Sequence, residues 1–532
     1  MTSERATMSR TTHRWVARRR RLGLTVMAAA CVVLLTQSAA FADPTAVSNP
    51  VIPGAAPLPG PLVDPGKPAA AMKTMATKPD IARAGTQLTF TASGLPASAE
   101  VTLVWMTANV RYVLDPKPDS IDYIGRKVEK IGVSLGNGQT GATGAFSMSV
   151  KAPLDYGGLH DIYAVVNGVQ VAKGGFLLER VVTISPKRGP VGTPITIKVV
   201  GMGSPTYESV GGVLYDNKYT GAASANMTRG ITVFKLRAAG EVGPHWIEYA
   251  GSSHTVPYLN MEQSPVPWTD GHRLKFTVTK GVANLAPKTE WPANVKPTLD
   301  QRTTLLAANL APDSKATAQL ASTSGVILSK TTIIATGLTP NAPVDLVWST
   351  VVGNRVNCTG TCWSFVPVPM GRATAAADGS LSAGITIPDG LGGWHVVQLV
   401  QAGKVMAQVP YFVKRSFLKA RKVVKAGEPF IVELKGVGWT QLDNTVAVTY
   451  DNAYIGYACG FNSNGYVRIQ LFATGKPGIH LIDLYPLLYT QQPAYAYPQL
   501  GMVPLLSYAT DAPGLAAGYQ IPAFRLAIKV VK

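Results

Sequence analysis

The stretch GTPITIKVVGMG, residues 192–203, returns 235 residues later as GEPFIVELKGVG, residues 427–438. In both, apolar and polar side chains alternate between a turn-forming glycine and a closing glycine. That is the period-two pattern of a strand with one buried face. The same offset aligns YDNKYTG (215–221) with YDNAYIG (450–456) and KLRAAGEVGPHWIE (235–248) with QLFATGKPGIHLID (470–483). Upstream, ASGLPASAEVTLVW (92–105) matches ATGLTPNAPVDLVW (335–348) at eight of fourteen positions. The ends also agree, RLKFTVTK (273–280) against RLAIKVVK (525–532), once a longer loop in the second copy is allowed. A unit of roughly two hundred residues has been duplicated.

Each half divides again. GGLHDI (157–162), VGPHWI (242–247), GGWHVV (392–397) and PGIHLI (477–482) place one Gly-x-His in each quarter, at His160, His245, His395 and His480. Every one follows a loop and opens an alternating apolar run. Four histidines spread one per quarter do not converge on a metal, which needs three or four ligands within about 2.0–2.2 Å. The motif is expected to be a structural corner, comparable in place to the tyrosine corner of immunoglobulin sandwiches.

Short alternating strands, frequent Gly and Pro turns (52 and 39 residues among 532) and no helix-length periodicity predict an all-β chain. The expectation is four tandem Ig-like Greek-key β-sandwiches, arranged as a duplicated pair. ISPKRGPVGTPITIKVVGMG (184–203) resembles the opening of TIG/IPT-type immunoglobulin-like modules, and KARKVVKAGEPFIVELKGVG (419–438) carries a version without the Ser-Pro. The resemblance implies the fold; such modules occur in surface receptors, adhesins and secreted enzymes, so it implies no activity. The expected boundaries are domains at 80–182, 183–281, 313–415 and 416–532, with a linker at 282–312.

The first 42 residues read as an export signal. Arg18–Arg21 precede the apolar run Leu22–Leu35, and Ala40-Phe41-Ala42 offers cleavage after Ala42. Residues 43–79, rich in Pro and Ala, are expected to be a disordered tether. Removing seven arginines and Glu4 with the signal takes the formal charge from +19 to 19 − 7 + 1 = +13. Its basic residues are scattered and no nucleic-acid motif accompanies them, so nucleic acid is not an expected partner. A cell-envelope polymer or surface protein is, anionic where charge contributes. No transmembrane segment is expected after signal cleavage.

The search for chemistry returns little. G-x-S-x-G, H-E-x-x-H and phosphate-loop motifs are absent. No enzyme, cofactor or metal is expected, although a hydrolase whose site the sequence conceals stays as an alternative. The repeated Asp216-Asn217 and Asp451-Asn452 are weak calcium candidates, since two oxygen-bearing side chains fall far short of the ~6–8 ligands Ca²⁺ takes; an Asx-type turn is favoured. Cys358 and Cys362 are spaced for a local disulfide in an oxidising compartment, and Cys459 is expected to be a buried thiol. Tyr485, Tyr489, Tyr495, Tyr497 and Tyr508, in the unduplicated stretch 484–508, could present a ligand-contact surface or pack against a neighbouring domain. Trp363 beside the cysteines and the long loop 106–132 are further contact candidates. The expected role is extracellular structure or adhesion through loops, with carbohydrate or small-ligand binding as the alternative.

Overall fold

The computed structural model describes residues 45–117, 120–203, 210–252, 255–257, 259–260, 262, 272–299, 309–354, 362–489 and 501–532. The alternation quoted above becomes a strand with two faces. In Pro194–Val200, Ile195, Ile197 and Val199 are fully buried while Lys198 points outward.

That strand is the centre of a three-stranded sheet, between Val181–Ser185 and Ile231–Arg237. Opposite lies a five-stranded sheet in the order Arg188–Val191, His272–Val282, Gly243–Ser252, Val210–Tyr215, Lys218–Ser224. Its first strand runs parallel to its neighbour, and the other pairs are antiparallel. The same arrangement recurs around Pro429–Lys435, where Val423–Lys425 is the strand parallel to Ala523–Val531. It recurs around Lys330–Thr336, with Ser324–Val326 parallel to Lys404–Lys414. Around Gln87–Ala92 it appears with extra strands. Each three-stranded sheet shares its core with the larger sheet whose strands alternate with its own along the chain. Leu88 and Phe90, for example, pack with Leu103, Trp105 and Ile162, and Ile333 and Ile385 pack with Trp348 and Val397.

Three segments depart from the sequence expectation. Residues 45–79 are not a free tether. Lys67–Thr74 lies parallel to Val169–Leu178 as an added sheet strand, Leu62–Val63 pairs with Ser120–Gln139, and Val47, Ile52 and Met75 are buried. An open sheet edge offers unpaired backbone groups that even a Pro-rich chain can satisfy. The stretch 106–132 is not a loop but the body of a long hairpin, Glu100–Lys117 paired with Ser120–Gln139. The segment 282–312 is more than a linker, because Lys288–Glu290 adds an edge strand to Ala523–Val531.

Candidate functional site

The four histidines sit at equivalent places in four different sheets. Each stacks on or tilts against the aromatic ring of the neighbouring strand: Trp105 at 4.2 Å, Tyr215 at 5.6 Å, Trp348 at 4.5 Å and Tyr450 at 5.3 Å. In each, Nε2 lies 2.7–3.0 Å from the carbonyl oxygen four residues earlier, at Tyr156, Glu241, Leu391 and Lys476. The glycine two residues before each histidine has positive φ: 92° at Gly158, 145° at Gly243, 82° at Gly393 and 157° at Gly478. The corner needs a residue without Cβ strain.

The second nitrogen divides the histidines into two classes. In His160 and His395, Nδ1 faces another carbonyl, of Met106 at 2.8 Å and Ser349 at 3.2 Å. In His245 and His480 it faces a carboxylate, of Asp216 and Asp451, both at 2.6 Å. His395 is fully buried with no carboxylate beside it, and that burial pushes its pKa down to about 4. The Asp451 carboxylate instead raises that of His480, against a smaller opposing effect of burial.

The Asp-Asn pairs are two-residue hairpin turns. Asp216 and Asn217 have φ of 50° and 62°, Asp451 and Asn452 of 48° and 64°, the paired left-handed geometry of a type I′ turn. Each aspartate accepts the histidine proton and a backbone N–H, from Trp246 or Leu481. Asn452 is buried and donates to the Arg237 carbonyl at 2.8 Å, across the duplication. Among the described residues no group of three or more His, Cys, Asp or Glu side chains could hold a metal.

The halves meet through equivalent positions. Tyr219 and Tyr454, 235 residues apart, face each other edge-on at 6.5 Å, and Glu241 accepts from Lys476 at 2.5 Å, again 235 apart. Such self-pairing is the signature of an isologous contact about a local two-fold axis. Within each half, a second repeated contact uses the extra glycine of GGLH and GGWH. A Cβ on Gly157 would lie 1.8 Å from the Gly201 carbonyl oxygen, and one on Gly392 1.8 Å from that of Gly436. VGPH and PGIH carry Val242 and Pro477 there, where no such approach occurs.

Charge is buried at this junction. Arg237 reaches Asp483 at 2.5 Å, and Arg525 reaches Asp483 at 3.3 Å and Glu290 at 3.0 Å. In the first copy the corresponding pair, Glu248 and Arg273, also faces across strands but is more exposed. Residues 503–516 close the junction. Asp511 is fully buried; its carboxylate accepts from Asn226 N at 2.7 Å, Met227 N at 2.9 Å and the Tyr112 hydroxyl at 3.1 Å, and burial raises its pKa. Tyr112 belongs to the long hairpin, whose Leu114, Ile121 and Tyr123 share a core with Leu505, Leu506 and Leu515.

Two members of the expected tyrosine surface, Tyr485 and Tyr508, are internal. Tyr485 is 1% and Tyr508 6% exposed; Arg525 lies 4.6 Å over the Tyr485 ring, and the Tyr508 hydroxyl donates to Glu290 at 3.4 Å. Burying large rings between domains gains more than leaving them in water. Tyr489 is half-buried against Tyr457, while Tyr495 and Tyr497 lie outside the described residues. Trp363 is half-buried, edge-on to Phe461 at 5.8 Å. Cys362 is disulfide-bonded, and Cys358 lies outside the described residues. Cys459 is exposed, correcting the expected buried thiol: in Ala453–Cys459 burial alternates, and position 459 falls on the outer phase. The junction residues Arg237, Glu290 and Asp511 carried no motif; Asp483 and Arg525 left only the repeated acidic–arginine pairing.

An open groove of about 510 Å³ runs along the seam between Ser416–Ala420 and Ala523–Val531. Leu285, Phe417, Leu418 and Ile479 wall it, and the core residues Leu526 and Ile528 reach it from within. Lys419, Lys422 and Lys529 also line it, and among the described residues no carboxylate does.

No family model matches the chain, and no curated protein does. Solved structures show distant likeness. Salmonella alpha-2-macroglobulin reacted with methylamine aligns over 87% of this chain and 31% of its own, at 9% identity and TM-score 0.17. An ICAM-5 ectodomain fragment aligns over 82% of this chain and 100% of its own, at 13% identity and TM-score 0.17. Red sea bream transglutaminase aligns over 40% of this chain and 32% of its own, at 12% identity and TM-score 0.16. The chain thus spans about a third of the length of the macroglobulin it matches.

Proposed function

We propose that this is an exported, non-catalytic protein of four Ig-like sandwiches that serves as an extracellular structural or adhesive element. The fate of the long hairpin and of the described residues 484–489 and 501–516 carries this reading. Both are packed at the junction of the sheet pairs, and a chain that commits such excursions to internal packing is built as a scaffold. The three-plus-five strand order with a parallel first strand, present in two quarters and with added strands in the other two, supports the immunoglobulin-like assignment. Contacts with a partner then fall to outer faces and remaining edges, in place of the buried Tyr485 and Tyr508. The test is retention of the purified chain on cell-envelope fractions across a salt series. Saturable retention that weakens with salt fits an anionic envelope polymer; absence of retention, or turnover of an envelope component, refutes the reading.

A second reading, extracellular small-ligand binding, is favoured by the seam groove. Its volume lies within the roughly 300–1,000 Å³ of small-molecule sites, and its walls are mostly apolar.

A further inference from the structure

The groove is a departure from the duplicated template. The strand Ser416–Ala420 corresponds to Val181–Ser185 in the first copy, which pairs with its neighbour in unbroken register. In the second copy the register shifts between Phe417 and Lys419, so Leu418 becomes a bulged residue, 45% exposed at the groove. The ladder position of Thr183 in the first copy is taken by Lys419, so Leu418 is an extra residue with no paired counterpart. A bulge re-aims a side chain while leaving the flanking ladder intact. Across the seam, Ile479 stands where the first copy has Pro244, and Ala527 where it has Lys275. The second copy thus gains an exposed leucine, a branched side chain in place of a proline and a methyl group in place of a long lysine, while Lys419 and Lys529 add charge where the first copy has Thr183 and Thr277.

The rim carries the opposite chemistry. Lys422 and Lys529 are exposed beside the apolar walls, and Lys419 is held by Glu433 only at 3.8 Å. We infer that the seam between Ser416–Ala420 and Ala523–Val531 binds a free long-chain fatty acid, its tail along Leu418, Ile479 and Ala527 and its carboxylate at Lys422 and Lys529. Charge complementarity selects the head group: among the described residues the lining holds three lysines and no carboxylate, and Lys422 and Lys529 are exposed. Shape selects a free acid over a bilayer surface. The walls come from two facing segments, Ser416–Ala420 and Ala523–Val531, so the groove is a cleft, whereas membrane-surface attachment uses an apolar face laid flat on the head groups. This inference rests on the small-ligand reading above and adds the anionic head.

Titration of the full chain with oleate, oleyl alcohol and anionic phosphatidylglycerol vesicles tests it. The expected result is saturable oleate binding, lost in Ala527→Trp, which fills the groove. In the double variant Lys422→Glu, Lys529→Glu it should weaken about tenfold at low salt, and by less as salt screens the head group. Oleyl alcohol should bind more weakly and ignore the charge reversal. Circular dichroism matching that of the unaltered chain establishes that both variants fold. Should oleate and oleyl alcohol bind alike, indifferent to charge reversal, the anionic-head inference falls while the small-ligand reading stands. Should neither bind, both fall. Oleate binding unchanged by Ala527→Trp, or binding to vesicles without binding to oleate, also overturns the inference.

Discussion

Lowering the pH from 7 to 4.5 should destabilise this protein specifically through His395. The imidazole is fully buried, and both of its nitrogens face carbonyl oxygens, of Ser349 and Leu391. Protonation would satisfy both acceptors, but the cost of burying the charge outweighs that gain and holds the pKa at about 4, against an ordinary 6.5. Between those two values the unfolded chain binds a proton that the folded chain refuses. Stability from this group is therefore fully present above pH 6.5 and is lost as pH falls toward 4. For a shift of that size the loss from pH 7 to 4.5 is roughly 2–3 kcal/mol. Urea unfolding followed by tryptophan fluorescence should show it, since Trp348 and Trp439 lie 4.5 and 5.0 Å from the ring. Carboxylates titrate in the same window, so the decisive quantity is the difference between the unaltered chain and His395→Gln, which should shrink by that amount on acidification. Parallel pH profiles would refute the reasoning. If the variant does not fold, the ¹³C shift of the His395 ring serves instead, and a midpoint near 6.5 is the refuting value.

Other perturbations probe the junction. Asp511→Ala strands two backbone N–H groups and the Tyr112 hydroxyl without their acceptor. It should cost roughly 3–5 kcal/mol and accelerate hydrogen exchange at Asn226 and Met227, read by mass spectrometry. Arg237→Met removes one of the two arginines on buried Asp483 and should lower stability by about 3 kcal/mol in urea unfolding. Gly392→Ala forces a methyl group against the Gly436 carbonyl and should lower the thermal midpoint, whereas Val242→Ala, at the corresponding place without that approach, should leave it nearly unchanged. Asp451→Asn should return the His480 titration, followed by NMR, toward ordinary histidine values. The stabilisation that pair supplies is full below pH 6.5 and disappears as pH rises through the elevated pKa of His480.

The strands of this protein are written in local sequence. Alternation fixes which face of Pro194–Val200 is buried, and Asp216-Asn217 specifies a left-handed turn because few other residues accept that backbone geometry cheaply. Duplication then shows that one pattern serves several times, and the Gly-x-His corners mark corresponding places within it. What the sequence alone could not reveal is which surfaces the copies would use on one another. The extra glycine of GGLH and GGWH reads as a corner residue until Gly157 is seen against Gly201. Tyr485 and Tyr508 read as a contact surface until the neighbouring sheets cover them. Asp511 has no counterpart in the first copy, so no internal comparison could single it out. Periodicity reports the burial of one strand face against its own sandwich, a short-range property. Partners hundreds of residues apart are chosen by shape and by the satisfaction of buried charge, which exist only once the chain has folded.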